Sequence, residues 1–288
     1  MNYRHAYHAG NFADVVKHVV LTLVLEHLKL KPAPFRVIDT HAGIGVYDLS
    51  GEQAQKTGEW RDGIGRLLAE EPPEALRPLL APYLDVVQAL NGGAGLRRYP
   101  GSPRLARALL RRGDQLIANE LHPEDAALLQ QHFAGDPQTK VLRLDAWIAL
   151  KSLLPPKERR GLVLVDPPFE EPGEFARIAK GLREAVRRFA TGTVLVWFPI
   201  KDPVQVASFY RELSKLELGP VLRLELMVRA ARNSEVLNGC GLVVLNPPFT
   251  LAVKAERLLP HLAERLAQGP GAGYRLDWIT PAGERAQA

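Results

Sequence analysis

The chain has 288 residues, 46% hydrophobic and 24% charged, with a formal net charge of +5. This is the balance of a globular protein with a sizeable core, and it excludes a disordered chain. The longest apolar stretch, 19–25, is too short to span a bilayer and MNYRHAYHAG lacks an apolar signal core, so a cytoplasmic protein without membrane contact is expected.

Residues 11–30 read as a helix capped by Asn11, with Asp14 three positions on as a capping-box-like partner. A short strand at 35–39 ends in Asp39 and the turn THAGIG. Residues 50–112 differ in character: punctuated by Gly and Pro, they hold helical pieces near 58–70, 74–90 and 103–112. They read as a helical insertion into a core formed by 1–49 and 113–288. Strands resume at 115–119, 140–144, 161–165 and 193–198, each followed by a helix: 123–133, 146–153, 173–189 and 203–215. Strands 221–228 and 241–245 are joined without a helix, which makes them antiparallel partners. A helix at 253–268 and a strand at 273–279 complete the pattern. Strands alternating with helices mean a doubly wound, mostly parallel α/β sheet with helices on both faces. Ligands of such sheets sit at the carboxyl ends of the strands. Here Asp39, Glu120, Asp145 and Asp166 end four successive strands, so one rim collects four carboxylates. The one cysteine, Cys240, excludes an internal disulfide and a cysteine metal cluster, and is expected to be a buried, inert thiol.

The turn after the first strand places Gly43 where backbone can approach a ligand. A dinucleotide fingerprint would need a third glycine at position 48, which is Asp48, and there is no phosphate loop. The turn leads into loop, not helix, so pyrophosphate on a helix N-terminus is disfavoured. A nucleoside without phosphates fits, and S-adenosylmethionine is one. Glu120 would accept from its ribose hydroxyls and Asp145 from its adenine amino group; the sulfonium tolerates an acidic rim. Taken singly, each acid is as well explained as a helix N-cap.

GLVLVDPPFE at 161–170 recurs as GLVVLNPPFT at 241–250. An exocyclic purine amine is a poor nucleophile because its lone pair is delocalised. Asp166 offers it a side-chain acceptor, Pro167 a carbonyl on a fixed backbone, and Phe169 a stacking face. The second copy ends an antiparallel strand and so points to the opposite rim; a strand stop is its reading. Tyr3, Arg4, His5, His8, Asn11, Asp14, Lys17 and His18 crowd the N-terminus and are read as a lid contributing Tyr3, His5, Lys17 and His18. A metal site from His5, His8, His18 and His41 is disfavoured by the spacing. Arginines cluster at 97–98, 111–112, 159–160 and 187–188, and at Arg229 with Arg232. They suit phosphate, and a solvated surface is the plainer alternative.

The stretches YRHAYHAGNFADVVKH (3–18), DTHAGIG (39–45), YPGSP (99–103), ELHP (120–123) and DPPFE (166–170) resemble, in order, the RlmJ family of 23S ribosomal RNA adenine-N6 methyltransferases. The resemblance implies a class I (Rossmann-like) methyltransferase fold, with a seven-stranded sheet and a small helical insertion. The implied cofactor contacts are His18, His41, Ser102, Glu120, Asp145 with Ala146, and Asp166. It further implies Asp166 as catalytic acceptor, and Tyr3, His5 and Lys17 near the substrate base. Phe169 stands where many members have Tyr, and Ala146 where glycine is common. The expected partner is 23S ribosomal RNA, protein-free or in an early assembly intermediate, met by a monomer. A DNA adenine methyltransferase and a non-enzymatic nucleic-acid-binding protein are the rival readings.

Overall fold

The computed structural model of the protein describes residues 4–93 and 95–280. Its strands are β1 (Arg36–Asp39), β2 (Val46–Asp48), β3 (Arg98–Pro100), β4 (Gln115–Asn119), β5 (Thr139–Leu142), β6 (Gly161–Val165), β7 (Thr193–Ile200), β8 (Val221–Met227), β9 (Gly239–Leu245) and β10 (Gly273–Thr280). Its helices are α1 (Phe12–Lys29), α2 (Glu52–Thr57), α3 (Ile64–Leu68), α4 (Arg77–Asn91), α5 (Ser102–Leu109), α6 (Pro123–His132), α7 (Ala146–Leu153), α8 (Glu174–Arg188), α9 (Pro203–Leu213) and α10 (Leu251–Arg265). The main sheet has eight strands in the order β10-β8-β9-β7-β6-β1-β4-β5. The seven-stranded expectation is thus short by one. That count came from the resemblance; the strand expected at 273–279 is present as β10, an edge strand antiparallel to β8 and joined to it by the Arg223–Asp277 ion pair. The rest is the α/β architecture expected for the class I methyltransferase fold.

Both faces of the sheet are covered. In β6, Leu162 and Leu164 pack into a cluster with α1, α4, α5 and α10. Val163 and Val165, pointing the other way, pack with α7, α8 and α9. Burial on both faces is why these strands read as unbroken apolar runs and not as alternating ones. Cys240 lies in the first cluster, and burial pushes its thiol up to about 12, so it stays protonated and inert.

Register places the rim. Asp39 pairs with Ala118 on β4 and with Leu164 on β6. Glu120 and Asp166 therefore lie two residues, about 7 Å, beyond one line across the sheet. Strands β2 and β3 pair as a separate two-stranded sheet with Tyr47 opposite Tyr99. This stem closes the segment between them and returns the chain at Gly101, whose N–H donates to the Gly45 carbonyl (2.9 Å).

The two PPF copies part at this level. β9 runs antiparallel between β7 and β8, and Leu245 pairs with Val194 at the start of β7. Asn246 thus emerges on the opposite rim, its amide donating to the Thr191 carbonyl (2.8 Å). Phe249 is 75% exposed and meets the His27 ring edge-on. Phe249→Ala should leave methyl transfer within about twofold of wild type, as surface changes away from a site usually do. An initial-rate assay showing a much larger drop would return this copy to the chemistry.

Candidate active site

A cavity of about 770 Å³ opens at the rim formed by β1, β4, β5 and β6. That is the usual size for a site holding a drug-sized ligand. One wall is α1. Asn11 caps the helix as expected, its Oδ1 accepting the Asp14 N–H (2.9 Å). Fifteen of the eighteen residues of α1 are buried, so Lys17 and His18 reach the cavity from a fixed core helix and not from a movable lid.

The Asp14 side chain goes further than capping. Only 2% exposed, it accepts from the Gly10 N–H (2.9 Å) and from Lys17 Nζ (2.7 Å), and lies 2.9 Å from His5 Nε2. Lys17 Nζ also donates to Asp166 Oδ2 (2.6 Å). The result is a buried chain: His5, Asp14, Lys17, Asp166. Burial opposes both central charges. Pairing outweighs it, holding Asp14 well below the usual carboxylate range and Lys17 well above the usual ammonium range. Both stay ionised at neutral pH.

The turn after β1 forms a second wall. Asp39 is 1% exposed and accepts from Ser102 Oγ (2.6 Å), which the β2–β3 stem has brought back across 63 positions of sequence. Burial, with a smaller push from Asp166, raises the Asp39 carboxyl to about 7. Gly43 has φ +61°, and a Cβ there would meet the Tyr47 hydroxyl at 2.1 Å; only glycine fits this approach. Its N–H donates to Glu120 Oε2 (2.8 Å), while Glu120 Oε1 accepts the His122 N–H (2.8 Å). Burial raises the Glu120 carboxyl despite these two donors. His41 takes the Asp166 N–H on Nδ1 (3.3 Å), and burial lowers it to about 4, so the ring is neutral.

His18 stacks on Tyr99, with Nδ1 2.8 Å from the Tyr99 hydroxyl, and the Tyr99 and Tyr83 hydroxyls lie 2.9 Å apart. Burial lowers His18 to about 3, so this ring too is neutral. His18 lines the cavity wall, and its Nε2 is buried without a hydrogen-bond partner among the described residues. Unpaired buried nitrogens are costly, so Nε2 is a natural ligand contact. Asp145 does cap a helix: its Oδ1 accepts the Trp147 and Ile148 N–H groups (both 3.0 Å). It still lines the cavity together with Ala146.

Past Asp166, Pro167 and Phe169 also line the cavity. Phe169 has φ +52°, uncommon for an aromatic residue. The edges of Phe175 (5.1 Å between centroids) and Trp197 (6.3 Å) hold it there.

The cavity thus brings together His5, Lys17, His18, His41, Gly43, Ser102, Glu120, Asp145, Ala146, Asp166, Pro167 and Phe169. Tyr3 lies outside the described residues. Among the described residues, no three His, Cys, Asp or Glu are placed to hold a metal ion. His5, His8, His18 and His41 each face a different partner.

Sequence reasoning missed two positioning residues. One is the Asp14 side chain, read only as a cap. The other is Asn119, fully buried at the end of β4. It donates to the carbonyls of Thr40 (3.0 Å) and Leu144 (2.9 Å) and accepts the Leu144 N–H (2.9 Å), pinning two rim turns together. The available signal was a polar side chain closing an apolar strand just before Glu120.

Comparison with known proteins identifies relatives over nearly the whole chain. Two curated relatives are named ribosomal RNA large subunit methyltransferase J. The one from Haemophilus influenzae is 41% identical over 98% of this chain and 99% of its own. The one from Escherichia coli is 39% identical over the same shares. A crystal structure of a protein from Legionella pneumophila superposes with a TM-score of 0.85 at 33% identity, covering 96% of this chain and 99% of that one. The methyl donor of this fold is S-adenosylmethionine, and the unpartnered His18 nitrogen, the Gly43 turn and the Glu120 carboxyl suit its uncharged nucleoside portion. The family described as "Ribosomal RNA large subunit methyltransferase D, RlmJ" matches residues 32–280, and with these relatives it shows that the chain belongs to that methyltransferase family.

Proposed function

We propose that the chain methylates the N6 amino group of an adenine in 23S ribosomal RNA, acting as a monomer on RNA that is protein-free or early in assembly. One observation carries the reading. The Asp166 carboxylate faces the cavity with Oδ2 committed to Lys17 (2.6 Å), while Oδ1 accepts no bond among the described residues. The cofactor supplies an electrophilic methyl group. Glu120 and the Gly43 turn would hold its ribose, Asp145 with Ala146 its adenine, and His18, His41 and Ser102 the rest of that wall.

Asp166 Oδ1 and the Pro167 carbonyl would accept the two amino hydrogens of the target base, with Phe169 beneath its ring. Hydrogen bonds to acceptors strengthen as the nitrogen gains positive charge, so they stabilise the transition state more than the ground state. Lys17 fixes Asp166 in direction through the bond to Oδ2, and His5 would meet the base at the mouth. Holding amine and methyl in line supplies the remaining acceleration. The base must be unpaired or flipped to enter.

The test incubates the protein with labelled S-adenosylmethionine and either unmodified 23S rRNA or DNA of matching sequence, then digests to nucleosides for mass spectrometry. N6-methyladenosine from the RNA is expected. Label on another atom, on DNA alone, or on neither would reject the proposal.

A further inference from the structure

The cavity poses an electrostatic problem for an RNA substrate. Among the described residues ten of its lining side chains are carboxyls, against three cations: Lys17, Arg177 and Lys201. Lys17 is already held between Asp14 and Asp166, and Arg177 is paired with Glu174. An uncharged base and a sulfonium suit such a cavity. The phosphates on either side of the target base do not. They must run over some neighbouring surface of opposite character.

A second cleft, of about 540 Å³, has that character. Among the described residues the only charged ones lining it are Arg229 and Arg232, with Asn233, Asn238 and Gln268 as further hydrogen-bonding side chains. It adjoins the first through one segment. The β8–β9 connector sends Glu235 and Leu237 to the catalytic cavity, and Arg229, Arg232 and Val236 to the second cleft.

The connector is built, not loose. Asn238 is 2% exposed and its amide donates to the carbonyls of Asn233 (2.7 Å), Val236 (3.0 Å) and Lys201 (3.4 Å). On the far side the Ala230 N–H donates to the Pro270 carbonyl (2.8 Å) and the Gln268 N–H to the Val228 carbonyl (2.8 Å). Arg229 also donates to the Gln268 side chain, which fixes its fork. Arg232 is exposed, and among the described residues no carboxylate lines its cleft. Lys201 lies at the junction, its carbonyl tied to Asn238 and its side chain lining the catalytic cavity.

We propose that this cleft is the track for the RNA backbone leaving the target base, with Arg229 and Arg232 gripping phosphates next to the flipped nucleotide. The proposal rests on RNA being the substrate. Guanidinium forks suit phosphate oxygens, and a preordered cleft loses little entropy on binding them.

Arg232→Ala and the Arg229→Ala/Arg232→Ala pair test it in the full chain with unmodified 23S rRNA at several salt concentrations. KM for RNA should rise by roughly three- to tenfold per arginine removed, and the log–log salt dependence of kcat/KM should flatten by about 0.7 for each phosphate no longer gripped. The affinity for S-adenosylmethionine should not move. Unchanged KM and salt slope in Arg232→Ala, which removes an exposed side chain, would overturn the proposal. So would a fall in kcat with the salt slope intact, since that marks a structural role. If the wild-type chain methylated no RNA, the functional reading would fail instead. Fluorescence anisotropy of the labelled RNA would then test the cleft alone, with equal affinity in wild type and variants rejecting it.

Discussion

Replacing Asp166 by alanine should slow methyl transfer at saturating RNA by on the order of 10²–10³-fold or more, the usual effect of deleting one preorganised hydrogen-bonding group facing developing charge. The fold should survive. Asp166 stands at the cavity wall beyond the end of β6, and its loss leaves Lys17 still paired with Asp14 at 2.7 Å, so no buried charge is orphaned. Most of the cofactor's expected contacts, from His18 to Glu120, lie elsewhere. Single-turnover rates with calorimetry of S-adenosylmethionine binding check both halves. A folded, cofactor-binding Asp166→Ala chain running at the wild-type rate would remove Asp166 from the chemistry. Asp166→Asn should fall between the two, because it keeps an acceptor oxygen but gives up the charge facing Lys17.

Lys17→Met should be the most destabilising single change in the site, by about 3–5 kcal/mol, because it removes the ammonium that bridges the Asp14 and Asp166 carboxylates. The pH dependence gives this a signature. In the wild-type protein Asp14 is held below its usual range, so it contributes stability above the unfolded value, which is lost as pH falls. His5 and Lys17 together offset the burial of Asp14; without Lys17 part of that offset is lost and the folded-state value rises. The variant then carries a penalty that is full at high pH and relieved as pH falls and Asp14 takes up a proton. Denaturant unfolding at about pH 5 and about pH 8 should show the larger deficit at the higher pH. A deficit independent of pH would mean lost packing, not stranded charge. Adding Asp14→Asn should recover part of the stability and none of the methyl transfer, because Asp166 would still lack its partner.

Much of this site was legible because its residues end strands. An apolar run closed by an acid needs no tertiary information to be placed at a sheet rim, and Asp39, Glu120 and Asp166 all follow that rule. The placement of NPPF on the far rim was equally legible, since two strands joined without a helix must reverse direction. Asp14 was not. Asn11 and Asp14 do form the cap that spacing suggests, but spacing along a helix says nothing about what lies across from it. Lys17 is 149 positions from Asp166 in sequence, and only the packing of α1 against the sheet brings them together.

The sequence by itself determined the local facts: strands of unbroken apolar residues, helix caps at Asn11 and Asp145, a glycine turn after the first strand, and motifs carrying hydrogen-bond acceptors. These follow from short-range sterics and burial period, which neighbouring residues settle among themselves. The tertiary structure decided what depends on distant partners: the return of Ser102 to Asp39 through the β2–β3 stem, the place of the last strand at the sheet edge beside β8, and the ion pairs that keep Asp14 and Lys17 charged in the interior. Charges buried this deeply are stable only as a set, and no one segment of the chain contains the set.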